Sequence, residues 1–281
     1  LLTRDRLQRY HRRVLPDVYV PKQSNLSLRD RTAAAWLWSR RQAVVAGAAA
    51  AALHGALWVG DDAPIELIWR NGRPPRGLVV RNENLGDGEV GSVAGIPVTS
   101  LARTAFDLGR HLPRNAAVAR LDALSRAGRF SVAEVERVAE RHPGARGLRN
   151  LRIALPLVDD GAASPRETWL RLLIIDAGLP VPRTQIPVYD ACGLLAMLDM
   201  GWEEFMVAAE YDGDQHRHDR RQYVWDQRRL RLLAARGWEV VRVIKEDTRR
   251  DVIARISDAL RSRGWRGEIA LTQAMTGART A

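Results

Sequence analysis

Two acidic residues, Asp199 and Glu210, carry the clearest chemical signal in this sequence. Each stands at or near the end of a short apolar run, and Gly201-Trp202-Glu203-Glu204 between them is typical of a tight turn. A hairpin of this length places the two carboxylates on neighbouring strands. Carboxylate oxygens there can share one Mg²⁺ or Mn²⁺ ion, the kind of ion that assists phosphodiester hydrolysis.

Other polar groups are candidates for the same site. The carbonyl of Tyr211 could supply a third oxygen to the metal, and Asp212 either joins the site or forms an ordinary Asp-Gly turn. Gln215 and His216 follow the strand, where a loop can present them to a phosphate, and neutral histidine can accept a proton from water. Glu167 has two interpretations, a helix-capping residue or a further acidic group near the metal.

The charge of the chain favours a nucleic acid as partner. The net charge is +11 over 281 residues, and Lys22 and Lys245 are the only lysines, so arginine supplies nearly all of the positive charge. Arginine is the better side chain for binding phosphate oxygens in two-point contacts. A basic helix follows Glu210, and its arginines are predicted to bind the DNA backbone or, alternatively, to form a solvated face: Arg217, Arg220, Arg221, Arg228 and Arg229. Trp225 in that helix could stack on bases or wedge between them, but its helical spacing favours core packing.

Composition excludes several classes of protein. The single cysteine, Cys192, rules out an internal disulfide and a thiolate zinc cluster, which fits a cytoplasmic location. The longest run of small apolar residues, Ala43 to Val59, is interrupted by His54 and is too weakly apolar to span a bilayer. We therefore expect no membrane association.

Hydrophobic periodicity and turn residues predict an α/β chain of two domains, with an α+β domain over residues 1–158, a second domain over 159–265 and a loosely ordered tail over 266–281. Asp159 to Ala163 is the best linker. The elements predicted in the first domain are helices at Arg4–Arg13, Leu28–Arg41, Ala43–Leu57, Leu101–Arg110, Arg114–Ala127 and Ser131–Arg141, and strands at Val18–Pro21, Ile65–Trp69, Leu78–Arg81 and Ile96–Ser100.

The second domain has the predicted order αβββαβα. Ser164-Pro165-Arg166-Glu167 opens its first helix with three agreeing signals, namely an N-cap serine, a proline at the first helical position and a glutamate at the third. The elements predicted after that helix are strands at Gln185–Val188, Leu194–Met200, Phe205–Tyr211 and Trp238–Val243, and helices at Arg220–Arg236 and Asp251–Arg261.

An ordered series of motifs over about residues 160–265 resembles the very-short-patch-repair (Vsr)-like endonuclease domain of the PD-(D/E)xK nuclease superfamily. The motifs are Ser164-Pro165-x-Glu167, Leu179-Pro180-x-Pro182-x-x-Gln185, Asp199, Glu210-Tyr211-Asp212-Gly213-x-Gln215-His216, Asp226-x-x-Arg229 and Gly237-Trp238-x-Val240-x-Arg242. The resemblance implies a restriction-endonuclease-like mixed sheet flanked by helices, with a metal held where two strands separate, and Mg²⁺-dependent cleavage of DNA.

The first half is similar to the antitoxin region of type IV (AbiEi-type) abortive-infection systems. Two segments carry the similarity, Ala46-Gly47-x-x-Ala50-Ala51-x-Leu53-His54-Gly55 and Val98-Thr99-Ser100-x-x-Arg103-Thr104-x-Phe106-Asp107-Leu108. The similarity implies regulation or DNA docking rather than chemistry, and it leaves room for a protein partner of this domain.

The sequence departs from the superfamily at one position. The superfamily commonly places lysine two residues after the second carboxylate, and Asp212 stands there instead. Three alternatives remain open: His216, with Gln215 as a donor, orients the attacking water; Asp212 joins the metal site; or the site is inactive.

The leading hypothesis is thus a cytoplasmic, Mg²⁺- or Mn²⁺-dependent DNA endonuclease, with nicking of mismatched duplexes as a specific case that the resemblance suggests. Its rivals are a non-catalytic DNA-binding regulator or antitoxin that retains a nuclease scaffold, and a nuclease that acts on RNA.

Overall fold

A computed structural model describes residues 3–70, 73–191, 193–213 and 220–269. The chain is a mixed α/β protein whose sheets are flanked by helices, which confirms the predicted fold class. The backbone divides into two compact units, Leu1–Asp160 and Gly161–Ala281.

The first unit contains seven helices and seven strands among its described residues, together with a short 3₁₀ turn at Leu155–Leu157. The helices are α1 (Arg4–Tyr10), α2 (Leu28–Trp38), α3 (Gly47–Leu53), α4 (Leu101–His111), α5 (Arg114–Ala127), α6 (Val132–Arg141) and α7 (Leu148–Ala154). The strands are β1 (His11–Leu15), β2 (Val18–Pro21), β3 (Val44–Ala46), β4 (Ile65–Ile68), β5 (Leu78–Arg81), β6 (Val90–Val93) and β7 (Ile96–Thr99).

Five of those strands form one sheet in the order β5-β4-β3-β7-β6, while β1 and β2 form a separate hairpin. Apolar side chains of β3, β4 and β7, including Val45, Leu67 and Val98, are fully buried and pack against small residues of α2 and α3. The alanines of α3 permit this close approach because they carry so little side-chain volume.

Helix α4 begins at the predicted residue, Leu101, and ends at His111, one residue later than predicted. Its N-cap is Ser100, whose hydroxyl accepts the Arg103 N–H at 3.4 Å. The capping box predicted for Ser131 and Glu134 is also present, because each side chain accepts the other residue's backbone N–H.

Three predictions for this unit were wrong. The helix predicted over Ala43–Leu57 is a buried strand, β3, followed by the shorter helix α3; the chain turns at Gly47, which has a φ of +58°. The first helix ends at Tyr10, and His11–Leu15 pairs with β2 as a strand. Strand β6 and helix α7 are additional elements that the pattern did not predict.

The second unit contains three described helices and four described strands. They are α8 (Pro165–Asp176), β8 (Arg183–Asp190), β9 (Gly193–Trp202), β10 (Val207–Tyr211), α9 (Arg220–Ala235), β11 (Glu239–Val243) and α10 (Arg249–Ser262). The order αβββαβα is therefore confirmed.

The four strands form a mixed sheet in the order β11-β10-β9-β8. Strands β8, β9 and β10 pair antiparallel in sequence, and the α9 crossover makes β11 parallel to β10. Leu170 of α8 and Ile256 of α10 pack with Ala209 in one core, and Leu233 of α9 packs with Ala208 in a second core. Because successive strand residues point to opposite faces, the sheet is covered by α8 and α10 on one face and by α9 on the other.

Among the residues that the structure describes, no helix is both long enough and apolar enough to cross a bilayer. Most of the tail predicted over 266–281 lies outside the described ranges.

Candidate functional site

The site begins where β9 and β10 separate. Their antiparallel pairing ends at Ala209 and Met200, whereas β10 continues beside β11 as far as Tyr211 and Val243. Asp199 and Glu210 are the next residues of β9 and β10, so they stand at the point of separation. The hairpin that the sequence predicts between these two carboxylates is present.

Asp199 fills part of the gap between the separating strands. Its Oδ2 accepts a hydrogen bond from the backbone N–H of Tyr211 at 3.0 Å, which satisfies a donor that β9 no longer pairs. Burial, and then the nearby charges of Glu167 and Glu210, raise the pKa of Asp199 to about 7 against the opposing effects of the Tyr211 N–H and Arg229. Glu167 and Glu210 are therefore both close enough to repel a negative charge on Asp199.

Glu210 is held by a guanidinium from α9. Only 6% of the residue is exposed, and its two oxygens accept hydrogen bonds from Nη1 and Nη2 of Arg229, each at 2.7 Å. This two-point geometry is the strong form of a carboxylate–arginine pair. The hydrogen bond to Glu210 raises the pKa of Arg229, so this guanidinium stays charged.

Glu167 reaches the same region from the start of α8. Its backbone N–H donates to Ser164 Oγ at 3.2 Å, and its Oε2 accepts the Ala163 N–H at 2.8 Å. The helix start predicted at Ser164-Pro165 is confirmed, with the glutamate side chain reaching one residue beyond the N-cap. Glu167 therefore anchors the start of the helix, and its charge acts on Asp199, while its role near a metal stays a prediction.

Asp212 is paired with an arginine of the neighbouring strand. Its Oδ2 lies 2.5 Å from Nη2 of Arg242, and its backbone N–H donates to the Val243 carbonyl at 2.8 Å. Arg242 stands directly opposite Glu210 in the parallel register of β10 and β11. A cationic side chain thus lies beside the carboxylates although the lysine of the superfamily is absent.

A cavity of about 320 Å³ connects these groups. Asp199, Glu210, Asp212, Arg229 and Arg242 line it, together with the backbone of Gly213. Trp225 also lines the cavity and is 54% exposed, so the prediction that it packs in the core was wrong. Its position in the first turns of α9 places its ring at the wall of the cavity.

The remaining predicted residues have different outcomes. Tyr211 lies at the end of β10 and lines the cavity. Its ring contacts that of Trp169 edge-on, with 6.3 Å between the two ring centroids. Arg220, Arg221 and Arg228 lie on the exposed surface of α9, whereas Arg229 points inward to Glu210. Gln215, His216 and Arg217 fall outside the described residues.

Sequence reasoning did not identify Arg229 as the partner of Glu210, and it did not place Arg242 beside the carboxylates. The signal for Arg242 was available, because alternation along β11 puts it on the face of Val240, which packs in the α9-facing core. Glu210 shares that face with Ala208. The Arg229 contact depends on how far α9 lies from β10, which periodicity does not report.

The oxygen atoms at this site are of the kind that binds hard divalent cations. Asp199 and Glu210 offer carboxylate oxygens, and the mutual repulsion of three carboxylates is the electrostatic condition that a cation relieves. Within the described ranges, no group of three or more His, Cys, Asp and Glu side chains has metal-binding geometry. Both oxygens of Glu210 are engaged by Arg229, so metal binding requires this guanidinium to release at least one of them.

Comparison with known proteins identified two relatives. An uncharacterized protein of Mycobacterium tuberculosis strain CDC 1551 / Oshkosh and one of strain ATCC 25618 / H37Rv are each 34% identical to the chain over 179 residues. The matched segment is 64% of this chain, and the chain covers 65% of the length of each relative. No protein-family model matches, and no solved structure matches.

Proposed function

We propose that the second unit is a Mg²⁺- or Mn²⁺-dependent DNA endonuclease. The observation that carries the proposal is the position of Asp199 and Glu210 at the separation of β9 and β10, with the charge of Glu167 acting on the same point. Carboxylates on diverging neighbouring strands hold oxygen ligands at fixed spacing without consuming the backbone hydrogen bonds of the sheet. The motif series that resembles Vsr-like nucleases runs through the same residues.

Asp199 and Glu210 would hold the metal, with the Tyr211 carbonyl as the third oxygen. A bound divalent ion supplies Lewis-acid polarisation of the phosphate and lowers the pKa of an attacking water. The buried position of Glu210 and the hydrogen bond that fixes Asp199 keep the two donors in one orientation. Glu167 would position this pair by its charge and by anchoring the start of α8.

Positive charge for the substrate comes from arginine rather than lysine. Arg242 and Arg229 line the cavity beside the carboxylates, where a scissile phosphate would accept their N–H groups. The exposed arginines of α9, Arg220, Arg221 and Arg228, extend the cationic surface along the DNA backbone. Gln215 and His216 keep the roles predicted for them in place of the missing lysine, which are to orient the water or the phosphate. A cytoplasmic location and a protein partner of the first unit belong to the same proposal.

A substrate panel tests the activity. We expect the full chain to cut supercoiled plasmid or mismatched duplex DNA in Mg²⁺ or Mn²⁺ and not in EDTA, and to act on DNA in preference to RNA. Asp199→Ala should reduce cleavage by about two orders of magnitude or more. Asp258→Ala is the matched control, because it removes the same charge from an exposed position of α10. Equal cleavage by both variants contradicts the assignment.

One observation favours a second function, a DNA-binding regulator without catalysis. In that case the two-point contact between Arg229 and Glu210 at 2.7 Å is a permanent structural ion pair, and no metal enters. Gel-shift binding of duplex DNA without cleavage in either metal, and calorimetry that shows no heat of Mg²⁺ or Mn²⁺ binding, would select it.

A further inference from the structure

The first unit contains a cavity of about 610 Å³ that the proposed nuclease chemistry does not use. It lies between the segment after β5, the end of α4 and the loop that follows α6. Phe106, His111 and His142 are among its lining residues. The volume falls in the range of ordinary small-molecule sites, about 300 to 1,000 Å³.

One wall of the cavity is made rigid by buried ion pairs. Arg110 of α4 is 5% exposed; its Nη2 lies 2.8 Å from Asp107 Oδ1, and it also pairs with Glu83. The fully buried Arg103 bonds the same Asp107 at 3.0 Å and the same Glu83 at 2.8 Å. Buried ion pairs of this kind are poor stabilisers compared with apolar packing, but they hold Arg110 in one orientation at the cavity wall.

The charge of the lining is positive. Arg81, Arg110 and Arg146 line the cavity, and Glu83 is the only acidic residue among the lining residues. The side chain of His111 experiences this potential: burial, and then the charges of Arg110 and Arg81, lower its pKa to about 3. Arg81 pairs with Glu66, and Arg110 pairs with Asp107 and Glu83, so Arg146 is the lining arginine that can contact an anion without losing an ion pair to a described residue.

Several polar groups at the cavity have no partner of their own. Among the residues that the structure describes, the side chains of Arg146, Asn82 and Asn84 form no hydrogen bond or ion pair, and all three are exposed at the rim. The Nδ1 atom of His111 is buried and also lacks a hydrogen-bond partner. A buried polar atom without a partner is uncommon, and here it lies beside an open, cationic cavity.

We propose that this cavity binds a small organic phosphate of mononucleotide size, with the phosphate at Arg146 and the remainder beside Asn82, Asn84 and His111. A phosphomonoester carries nearly two negative charges at neutral pH, and guanidinium groups bind it through paired N–H contacts. A free phosphate would occupy only a small part of the volume, so the organic part of the ligand contributes contacts. The site is separate from the carboxylates of the second unit and does not depend on their function.

Calorimetry on the full chain in EDTA tests the proposal. The probes are the four nucleoside 5′-monophosphates, ribose 5-phosphate, inorganic phosphate and adenosine. We expect at least one of the organic phosphates to bind. Inorganic phosphate should bind about tenfold more weakly than the best organic phosphate, and adenosine should not bind. Absence of binding by every organic phosphate at millimolar concentration, or equal affinity for inorganic phosphate, overturns the proposal.

Variants assign the binding to this cavity. Arg146→Gln should weaken the best organic phosphate about tenfold or more, and Arg149→Gln, which removes a charge from an exposed position of α7, should change it less than about twofold. Asp199→Ala should leave this binding unchanged, so that failure of the nuclease proposal and failure of this one are distinguishable. Equal weakening by Arg146→Gln and Arg149→Gln would show a diffuse charge effect and overturn the site.

Discussion

Replacing Asp199 by Asn should stabilise the metal-free protein. The structure raises the pKa of Asp199 from 3.8 to about 7, first by burial and then by the charges of Glu167 and Glu210. A carboxyl whose pKa is raised on folding costs stability as the pH rises, because the folded protein retains a proton that the unfolded chain releases. The cost begins near pH 4, grows to about pH 7 and is constant above it.

The size of the effect follows from the shift. About three pH units at about 1.4 kcal/mol each give an upper value of roughly 4 kcal/mol at pH 8.5, and partial exposure of the side chain reduces this to about 2–4 kcal/mol. At pH 5 the corresponding value is about 1–2 kcal/mol. Asparagine keeps an oxygen that can accept the Tyr211 N–H, so the substitution removes the charge and retains this hydrogen bond.

Urea denaturation followed by tryptophan fluorescence in EDTA measures the effect. Asp199→Asn should exceed the wild type in unfolding free energy at pH 8.5, and the difference should shrink at pH 5. Asp258→Asn is the control for the lost negative charge on a basic protein. If the two variants have the same stability at both pH values, Asp199 does not have the raised pKa that we infer from its burial and its neighbouring carboxylates. A second series in Mg²⁺ should stabilise the wild type and leave Asp199→Asn unchanged.

Other predictions concern the first unit. Burial and nearby arginines lower the pKa of His111 from 6.5 to about 3, so the unfolded chain takes up a proton below pH 6.5 that the folded protein does not. The wild type should therefore lose about 2 kcal/mol of unfolding free energy between pH 7 and pH 5, and urea titrations of His111→Asn should show a flatter pH dependence. Glu89→Gln removes the charge of a fully buried carboxylate that Arg103 contacts at 2.6 Å, and it should lower the free energy of unfolding by about 3–5 kcal/mol. The exposed control Glu136→Gln should lower it by less than about 0.5 kcal/mol, and comparable losses would contradict a structural role for the Glu89 charge. In Gly147→Ala the new Cβ would lie 2.1 Å from the Arg110 carbonyl oxygen, at a φ of +84°. Thermal unfolding should show a loss of stability of at least about 1 kcal/mol. Gly144→Ala, whose added Cβ has no neighbour within 4 Å among the described residues, should be nearly neutral.

The helices could be predicted because their signals are local. Ser100, Ser131 and Ser164 each start a helix with a side-chain cap, and the caps stand within three residues of the groups that they bind. Strand β3 could not be predicted in this way. Its three residues, Val44–Ala46, precede an alanine run with high helix propensity, and their extended conformation depends on pairing with Ile65–Ile68 and Ile96–Thr99 from distant parts of the chain. Strand β6 was missed because Gly91 and Ser92 lack the apolar alternation of a half-buried strand.

The same difference between local and long-range contacts decides how much of the candidate site could be predicted. The proximity of Asp199 and Glu210 follows from a short hairpin, which sequence describes well. The contact between Glu210 and Arg229 joins residues 19 positions apart through a crossover helix, and the register that brings Arg242 opposite Glu210 is set by β11 alone. Such long-range contacts depend on the packing of α9 against the sheet, and no local pattern encodes that geometry.

The separation of β9 and β10 also has a consequence for the order in which the molecule is made. Glu167, Asp199, Glu210 and Arg242 come from α8, β9, β10 and β11, and β11 enters the sheet only by the crossover through α9. During synthesis the residues that carry the three carboxylates leave the ribosome before β11, the strand that pairs with the other edge of β10. The complete site can therefore form only after residue 243 has been synthesised and folded, so a nascent or truncated chain that ends earlier cannot assemble it.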